Sequence, residues 1–138
     1  TTEPDWDSKL SPGGTGVRSF HPLVIALASG ANFVARAFSG DPGGTADILA
    51  QAIAHPGFSF IEILSPCVTF RPEQREWKQL AHPAPVEPTG DPARAARRIM
   101  TDDGFNIGVL YVGDRTPYPA PEGTPQCTPE ALADEFAP

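Results

Sequence analysis

Apolar helical and strand segments alternate along this chain with only short connections between them. The run at residues 58–64 is almost continuously apolar, follows a helix that ends at His55, Pro56 and Gly57, and is too short to be a second helix. Residues 32–38 and 105–112 are the other two strand candidates. This alternation predicts an α/β fold with a mainly parallel sheet and right-handed crossovers.

Proline and glycine mark where the predicted helices begin and end. Residues 21–30 form the first helix, which is apolar nearly all round and is therefore expected to be buried on more than one side. Thr45 is the expected N-cap of the second helix. The third begins at Asp91 and Pro92 and is closed by Gly104. The strand at residues 58–64 should be covered on both faces.

Three strands and three helices are fewer than a complete sheet of this class needs. A doubly wound sheet normally has about five or six strands. We therefore expect a partial doubly wound sheet, whose other half lies in an N-terminal portion or a separate subunit. The expected division is a core at residues 1–113 and a Pro-rich tail at residues 114–138, with a short terminal helix from Thr128.

The charge balance excludes several kinds of partner. With 17 acidic and 10 basic side chains and a formal charge of −7, the chain lacks the clustered positive charge of a nucleic-acid surface. No apolar run approaches the roughly 18 residues of a membrane helix. Two cysteines cannot form a secreted disulfide framework, so we expect a cytoplasmic protein. From its charge and its short apolar runs, we expect it to bind neither nucleic acid nor membrane.

Cys67 is the residue with the most informative position. It comes three residues after the strand that ends at Leu64, and ligands in open α/β sheets bind just beyond such carboxyl ends. Three interpretations stay open from the residues alone: a small buried residue, a thiolate nucleophile, or a ligand of a metal cluster. A cluster commonly takes four thiolates, and the chain offers only Cys127 besides.

The remaining polar candidates are better explained by structural roles. His21 and His55 stand at helix ends, and His82 lies in a Pro-rich loop where exposure is expected. Asp102 and Asp103 follow a helix and are most simply a solvated turn.

Residues 21–42 and 57–70 resemble the C-terminal half of the beta subunit of 2-oxoacid:ferredoxin oxidoreductases, with the 2-oxoglutarate type most similar. The run Ser65-Pro66-Cys67-Val68-Thr69-Phe70 carries the most specific part of the resemblance. It implies a thiamine diphosphate-binding domain of α/β type, in agreement with the fold predicted above. It also implies that Cys67 is the last of four thiolate ligands of a [4Fe-4S] cluster, the other three lying near the subunit's N-terminus.

The resemblance implies an enzyme that decarboxylates a 2-oxoacid, such as 2-oxoglutarate or pyruvate, and releases an acyl-coenzyme A. Its cofactors would be thiamine diphosphate, Mg²⁺ and the [4Fe-4S] cluster, and its partners an alpha subunit, in some cases a gamma subunit, and ferredoxin.

The chain departs from the family in what it lacks. The Gly-Asp-Gly and Asn segment that holds magnesium and diphosphate has no counterpart, the three earlier cysteines are absent, and Arg71 stands where the family often has Asn. The chain alone is therefore expected to be inactive, as a fragment or one member of a split assembly. Two rivals remain: a non-catalytic α/β subunit-contact module, and an iron-free thiamine diphosphate enzyme.

Overall fold

The computed structural model describes residues 12–14, 16 and 20–116. Most of the first 19 residues, Cys127 and the predicted terminal helix from Thr128 lie outside the described residues, so the proposed domain boundaries stay predictions. No helix within the described ranges is both long and apolar enough to cross a bilayer.

Four strands and four α-helices follow one another along the described chain. In order they are α1 (Pro22–Ala28), β1 (Phe33–Phe38), α2 (Pro42–Ala54), β2 (Ser59–Leu64), a short 3-10 helix (Pro72–Glu76), α3 (Trp77–Leu80), β3 (His82–Pro83), α4 (Pro92–Thr101) and β4 (Asn106–Val112). All three predicted helices and all three predicted strands are present. The two-residue strand β3 was not predicted.

The strands form one sheet in the order β2-β1-β4-β3. β1 pairs in parallel with β2, and β3 in parallel with β4, so the predicted α/β fold with a mainly parallel sheet is confirmed. The central pair is different, because β4 runs antiparallel to β1, with Phe33 opposite Val112. An apolar run predicts a buried strand but carries no information about its direction.

The helix starts follow from local hydrogen bonding. The third predicted helix begins where expected, and Asp91 is its N-cap, with a carboxylate that accepts hydrogen bonds from the backbone N–H groups of Ala93 and Arg94. The prediction that Thr45 caps α2 is wrong. Asp41 is the N-cap and accepts from the Gly44 N–H, while the Thr45 hydroxyl lies inside the first turn and donates to the Phe38 carbonyl at 2.9 Å.

β1 is the buried centre of the fold, and every one of its residues is buried. Its alternate side chains enter two apolar clusters on opposite faces of the sheet. One cluster joins Val34 to residues of α1, α4 and β4, including the fully buried Tyr111. The other joins Phe33, Ala35 and Ala37 to α2. The result is a sheet with helices on both faces.

Two predictions of burial are wrong for these residues. β2 is an edge strand that is only half-buried, and Ile63 is 44% exposed. α1 buries one face, through Leu23, Ala26 and Leu27, while Ile25 is 53% exposed. Both predictions assumed covering layers on all sides, and the described residues do not provide them.

Asn32 holds together the edge of the sheet at which β1 and β2 begin and β4 ends. Its side-chain amide nitrogen donates to the carbonyls of Arg115, at 2.6 Å, and Pro56, at 3.1 Å, while its amide oxygen accepts from the Arg115 N–H. Its backbone donates to Phe58 and accepts from Gly113. Gly57 has φ +98°, and a Cβ there would stand 2.9 Å from the Asn32 amide nitrogen, so only glycine fits. We call this the closed edge.

Candidate functional site

The opposite edge of the sheet carries the candidate site. β1 ends there at Phe38 and β2 at Leu64, and these two residues are paired in register. Because β4 is antiparallel to β1, its first residue, Asn106, lies at this edge as well. We call it the open edge. It is the position at which α/β sheets bind ligands.

Cys67 lies in the loop that leaves β2 at the open edge. Its backbone N–H donates to the Gln74 side-chain oxygen at 2.8 Å, and its carbonyl accepts from the Arg71 N–H at 2.8 Å. Its thiol is free and exposed, and the interpretation of Cys67 as a small buried residue is therefore wrong for the described chain. The loop is held through its backbone while the side chain stays available.

A cavity of about 760 Å³ opens beside this loop, and Cys67 is one of its lining residues. Much of its wall is aromatic, from Phe20, Phe70, Trp77 and Phe105. Trp77 and Phe105 meet edge to face, with ring centroids 5.6 Å apart. Its wall combines this apolar surface with several polar and charged side chains, a combination found in cofactor and ligand sites.

Arg36 and Glu62 line this cavity, and together with Asp102 they form a charged network that sequence reasoning missed. The Arg36 guanidinium donates from Nε to Glu62 Oε2 at 2.8 Å and from Nη1 to Asp102 Oδ2 at 2.9 Å. Arg36 is 4% exposed. The prediction that Asp102 is simply solvated is wrong, because its side chain is 10% exposed and neutralises a buried cation.

A signal for part of this cluster was present in the sequence. Arg36 and Glu62 are the charged residues of two otherwise apolar strands, and the parallel register places them directly opposite each other. A charge inside a buried strand needs a partner, so the pair could have been inferred once the two strands were aligned. Asp102 lies 66 residues from Arg36 and offers no such signal.

His82 and Asp103 form an exposed pair at the start of β3. Nε2 of His82 lies 2.9 Å from Oδ2 of Asp103. This hydrogen bond is the main cause that raises the pKa of His82 above its usual value and lowers the pKa of Asp103. The predicted exposure of His82 is confirmed, but its partner was not foreseen.

The other two histidines have the structural settings that were predicted. His55 follows the last turn of α2, and its ring packs on Phe33 with centroids 5.6 Å apart. His21 precedes α1, is exposed and lines the edge of the cavity.

The donor set at the open edge fits one ligand of a thiolate-bound cluster. Cys67 is the one cysteine among the residues the structure describes, and those residues contain no group of three or more His, Cys, Asp or Glu side chains placed to hold a metal ion. A four-thiolate cluster at Cys67 would therefore take its other ligands from outside residues 20–116.

Comparison with known proteins identifies relatives along most of the chain. The beta subunit of a 2-oxoacid:ferredoxin oxidoreductase from Saccharolobus solfataricus is 30% identical over 102 residues, which cover 70% of this chain and 33% of that protein. The subunit beta of 2-oxoacid:ferredoxin oxidoreductase 1 from Aeropyrum pernix is 36% identical over 107 residues, 67% of this chain and 34% of that protein. The chain thus spans about a third of these relatives' length. No family model matches it.

A solved structure agrees with the sequence relatives. The 2-oxoglutarate:ferredoxin oxidoreductase from Magnetococcus marinus, solved with 2-oxoglutarate, coenzyme A and succinyl-CoA bound, superposes with a TM-score of 0.73 and 28% identity. The match covers 85% of this chain and 42% of that one. Fold and sequence together define the class as oxidoreductase subunits of α/β fold. Within that class, the chain belongs to the 2-oxoacid:ferredoxin oxidoreductase beta subunits and corresponds to their C-terminal half.

Proposed function

We propose that this chain is the C-terminal part of a thiamine diphosphate-binding beta subunit, in which Cys67 is one of four ligands of a [4Fe-4S] cluster. The observation that carries the proposal is the free, exposed thiol of Cys67, which lines a cavity at the carboxyl end of a strand. A thiolate is the ligand that iron–sulfur clusters take.

The whole assembly would oxidise a 2-oxoacid, either 2-oxoglutarate or pyruvate, to an acyl-coenzyme A and carbon dioxide. Thiamine diphosphate supplies the decarboxylation chemistry and the cluster carries electrons to ferredoxin. The rest of the beta subunit would supply the Mg²⁺ and diphosphate ligands, and an alpha subunit, with or without a gamma subunit, would complete the enzyme. The chain alone would be inactive. Free thiols persist in a reducing compartment, so we place the assembly in the cytoplasm.

The chain's own residues would position and shield the site. Gln74 and Arg71 hold the Cys67 backbone, so the thiol is presented from a fixed loop. Phe70 and Trp77 would exclude water from the region around the thiol. Surroundings of this kind set solvent access, and with it the potential of a cluster.

Cys67→Ser in the assembled, anaerobically purified enzyme tests the proposal. A serine oxygen is a harder donor and a poorer cluster ligand than a thiolate, so we expect loss of most iron and acid-labile sulfide and of ferredoxin reduction. Bound thiamine diphosphate should remain, because its ligands are expected outside this chain. Cys127→Ser is the matched control and should retain the iron.

Each alternative function gives a different result in the same measurements. Full iron content and full ferredoxin reduction in Cys67→Ser would refute the ligand role. A wild-type complex with thiamine diphosphate but no iron or sulfide would be the iron-free enzyme. A wild-type complex without any of the three would be the subunit-contact module.

A further inference from the structure

The loop that carries Cys67 is held by a side chain from a neighbouring segment. The Cys67 N–H donates to the Gln74 side-chain oxygen at 2.8 Å, and Gln74 itself lines the cavity and is half-buried. A peptide N–H can only donate, so the Gln74 atom that faces it must be the amide oxygen. The assignment of this bond therefore does not depend on how the amide is oriented.

The segment that carries Gln74 is itself fixed beside the cavity. Gln74 lies in the 3-10 helix Pro72–Glu76, which continues directly into α3. Neither helix contains a fully buried residue, so their position depends on individual contacts. Trp77 packs edge to face on Phe105, the residue before β4, and so ties this segment to the sheet. Gln74 thereby links the Cys67 peptide to a fixed point of the fold.

We propose that Gln74 is the positioning residue of Cys67. By accepting from the Cys67 N–H, it fixes the plane of the peptide that precedes the Cα of Cys67 and hence the direction in which the thiol points. Cys67 lies beyond the end of β2, where no strand pairs with its N–H. The part of this inference that concerns a cluster rests on the proposed function, since a ligand must be held within about 0.5 Å of its productive position.

Three substitutions in the full-length protein, assembled in its complex, separate this role from general packing. Gln74→Leu keeps the side-chain size and removes the acceptor. Gln74→Glu keeps an oxygen that can accept the same bond. Gln79→Leu replaces an exposed glutamine of α3 whose side chain makes no hydrogen bond with the described residues, and it is the matched control.

The first measurement is the half-time of iron loss during exposure to a chelator. Loss of one hydrogen bond of ordinary strength should make Gln74→Leu lose iron about five- to tenfold faster than wild type. Gln74→Glu should stay within about twofold of wild type, as should Gln79→Leu. Equal iron loss in wild type and Gln74→Leu, or a rate in Gln79→Leu as fast as in Gln74→Leu, would overturn the proposal.

The second measurement does not require a cluster. In iron-free protein, the rate of Cys67 alkylation by iodoacetamide, followed on its peptide by mass spectrometry, should rise about fivefold in Gln74→Leu because the loop is released. Gln74→Glu should restore the slow rate, and an unchanged rate in Gln74→Leu would overturn the positioning role. If Cys67→Ser keeps its iron, the proposed function fails, and the alkylation rates alone then decide whether Gln74 positions Cys67.

Discussion

The two edges of the sheet use polar groups in opposite ways. At the closed edge, Asn32 is 4% exposed, and its side-chain nitrogen and oxygen both have backbone partners. At the open edge, the backbone of Cys67 is bound but its thiol is free and lines a cavity. Buried polar groups that are fully satisfied stabilise a fold, whereas an unbound reactive group beside a cavity is available for chemistry. The comparison separates the residues that hold the sheet from those that would serve a cofactor.

The ion-paired cluster of Arg36, Glu62 and Asp102 lies at the open edge, yet its polar groups are paired with one another as those of the closed edge are. Disrupting this cluster gives the largest predicted effect on stability. Arg36→Met should lower the stability by about 3–5 kcal/mol, because the partly buried carboxylates of Glu62 and Asp102 lose their shared cation. Hydrogen exchange of the β1 amides in the assembled protein measures the change. Exchange as slow in Arg36→Met as in wild type would contradict a stabilising role of the Arg36 cluster.

Removal of the carboxylates provides the control for Arg36→Met. The triple variant Arg36→Met, Glu62→Met and Asp102→Asn should recover most of the lost stability, since it contains no unpaired buried charge. Asn at position 102 keeps the side-chain oxygen that accepts from the Gly104 N–H. A triple variant less stable than Arg36→Met would show that the cost comes from packing and not from charge.

Two asparagines, one at each edge, sharpen the comparison at a smaller scale. Asn32→Ala should cost about 2–3 kcal/mol, because it strips partners from a buried network at the closed edge. Asn106→Ala, at the first residue of β4, should cost less than about 1 kcal/mol, because the buried oxygen of its side chain has no hydrogen-bond partner within the described residues. Thermal midpoints of the two variants in the same complex give the difference. Equal losses would contradict the expectation that the closed edge depends more on its asparagine than the open edge does.

The sequence predicted the features that local interactions determine, and it did not predict those that depend on how distant segments meet. Helix limits were accessible because Pro22, Asp91 and Pro92 act through local hydrogen bonds and sterics. The position of Cys67 beyond β2 was accessible from the apolar run and the proline before it. The antiparallel direction of β4 could not be predicted, because the residues between α4 and β4 contain no pattern that indicates strand direction. The bond from Gln74 to Cys67 depends on how a polar segment folds back over seven residues, and no periodicity encodes that.

The network at Arg36 also could not be predicted fully from the sequence, because its partners are distant in the chain. Each of its two bonds joins residues far apart in the chain, 26 residues for Glu62 and 66 for Asp102. Propensity and spacing describe neighbours within one element, so they assign Asp102 to the turn in which it stands. Its true partner is set by where α4 packs on the sheet, and that follows only from the tertiary fold.

The smallest predicted effect concerns the exposed pair His82 and Asp103 at the open edge. The pKa of His82 is raised, so its contribution to stability is complete below about pH 6.5 and is lost as the pH rises through the folded-state value. The pKa of Asp103 is lowered, so its contribution is present above about pH 3.9 and is lost as the pH falls through its folded-state value. The pair therefore stabilises most between about pH 4 and 6.5, and salt should weaken it because both side chains face solvent.

An NMR titration of the His82 ring tests this pair directly. Asp103→Asn should lower the midpoint toward the usual histidine value, because the first cause of the shift is the hydrogen bond to that carboxylate. Some of the upward shift of the His82 pKa should remain, mainly because its Nδ1 still bonds the Pro83 carbonyl and to a smaller extent because of the charge of Asp102. Asp47→Asn on α2, which packs on β1 and β2, is the control and should leave the midpoint unchanged. If His82 titrates at the same midpoint in Asp103→Asn as in wild type, the pair does not form in solution. The open edge would then have fewer polar contacts than the structure gives it.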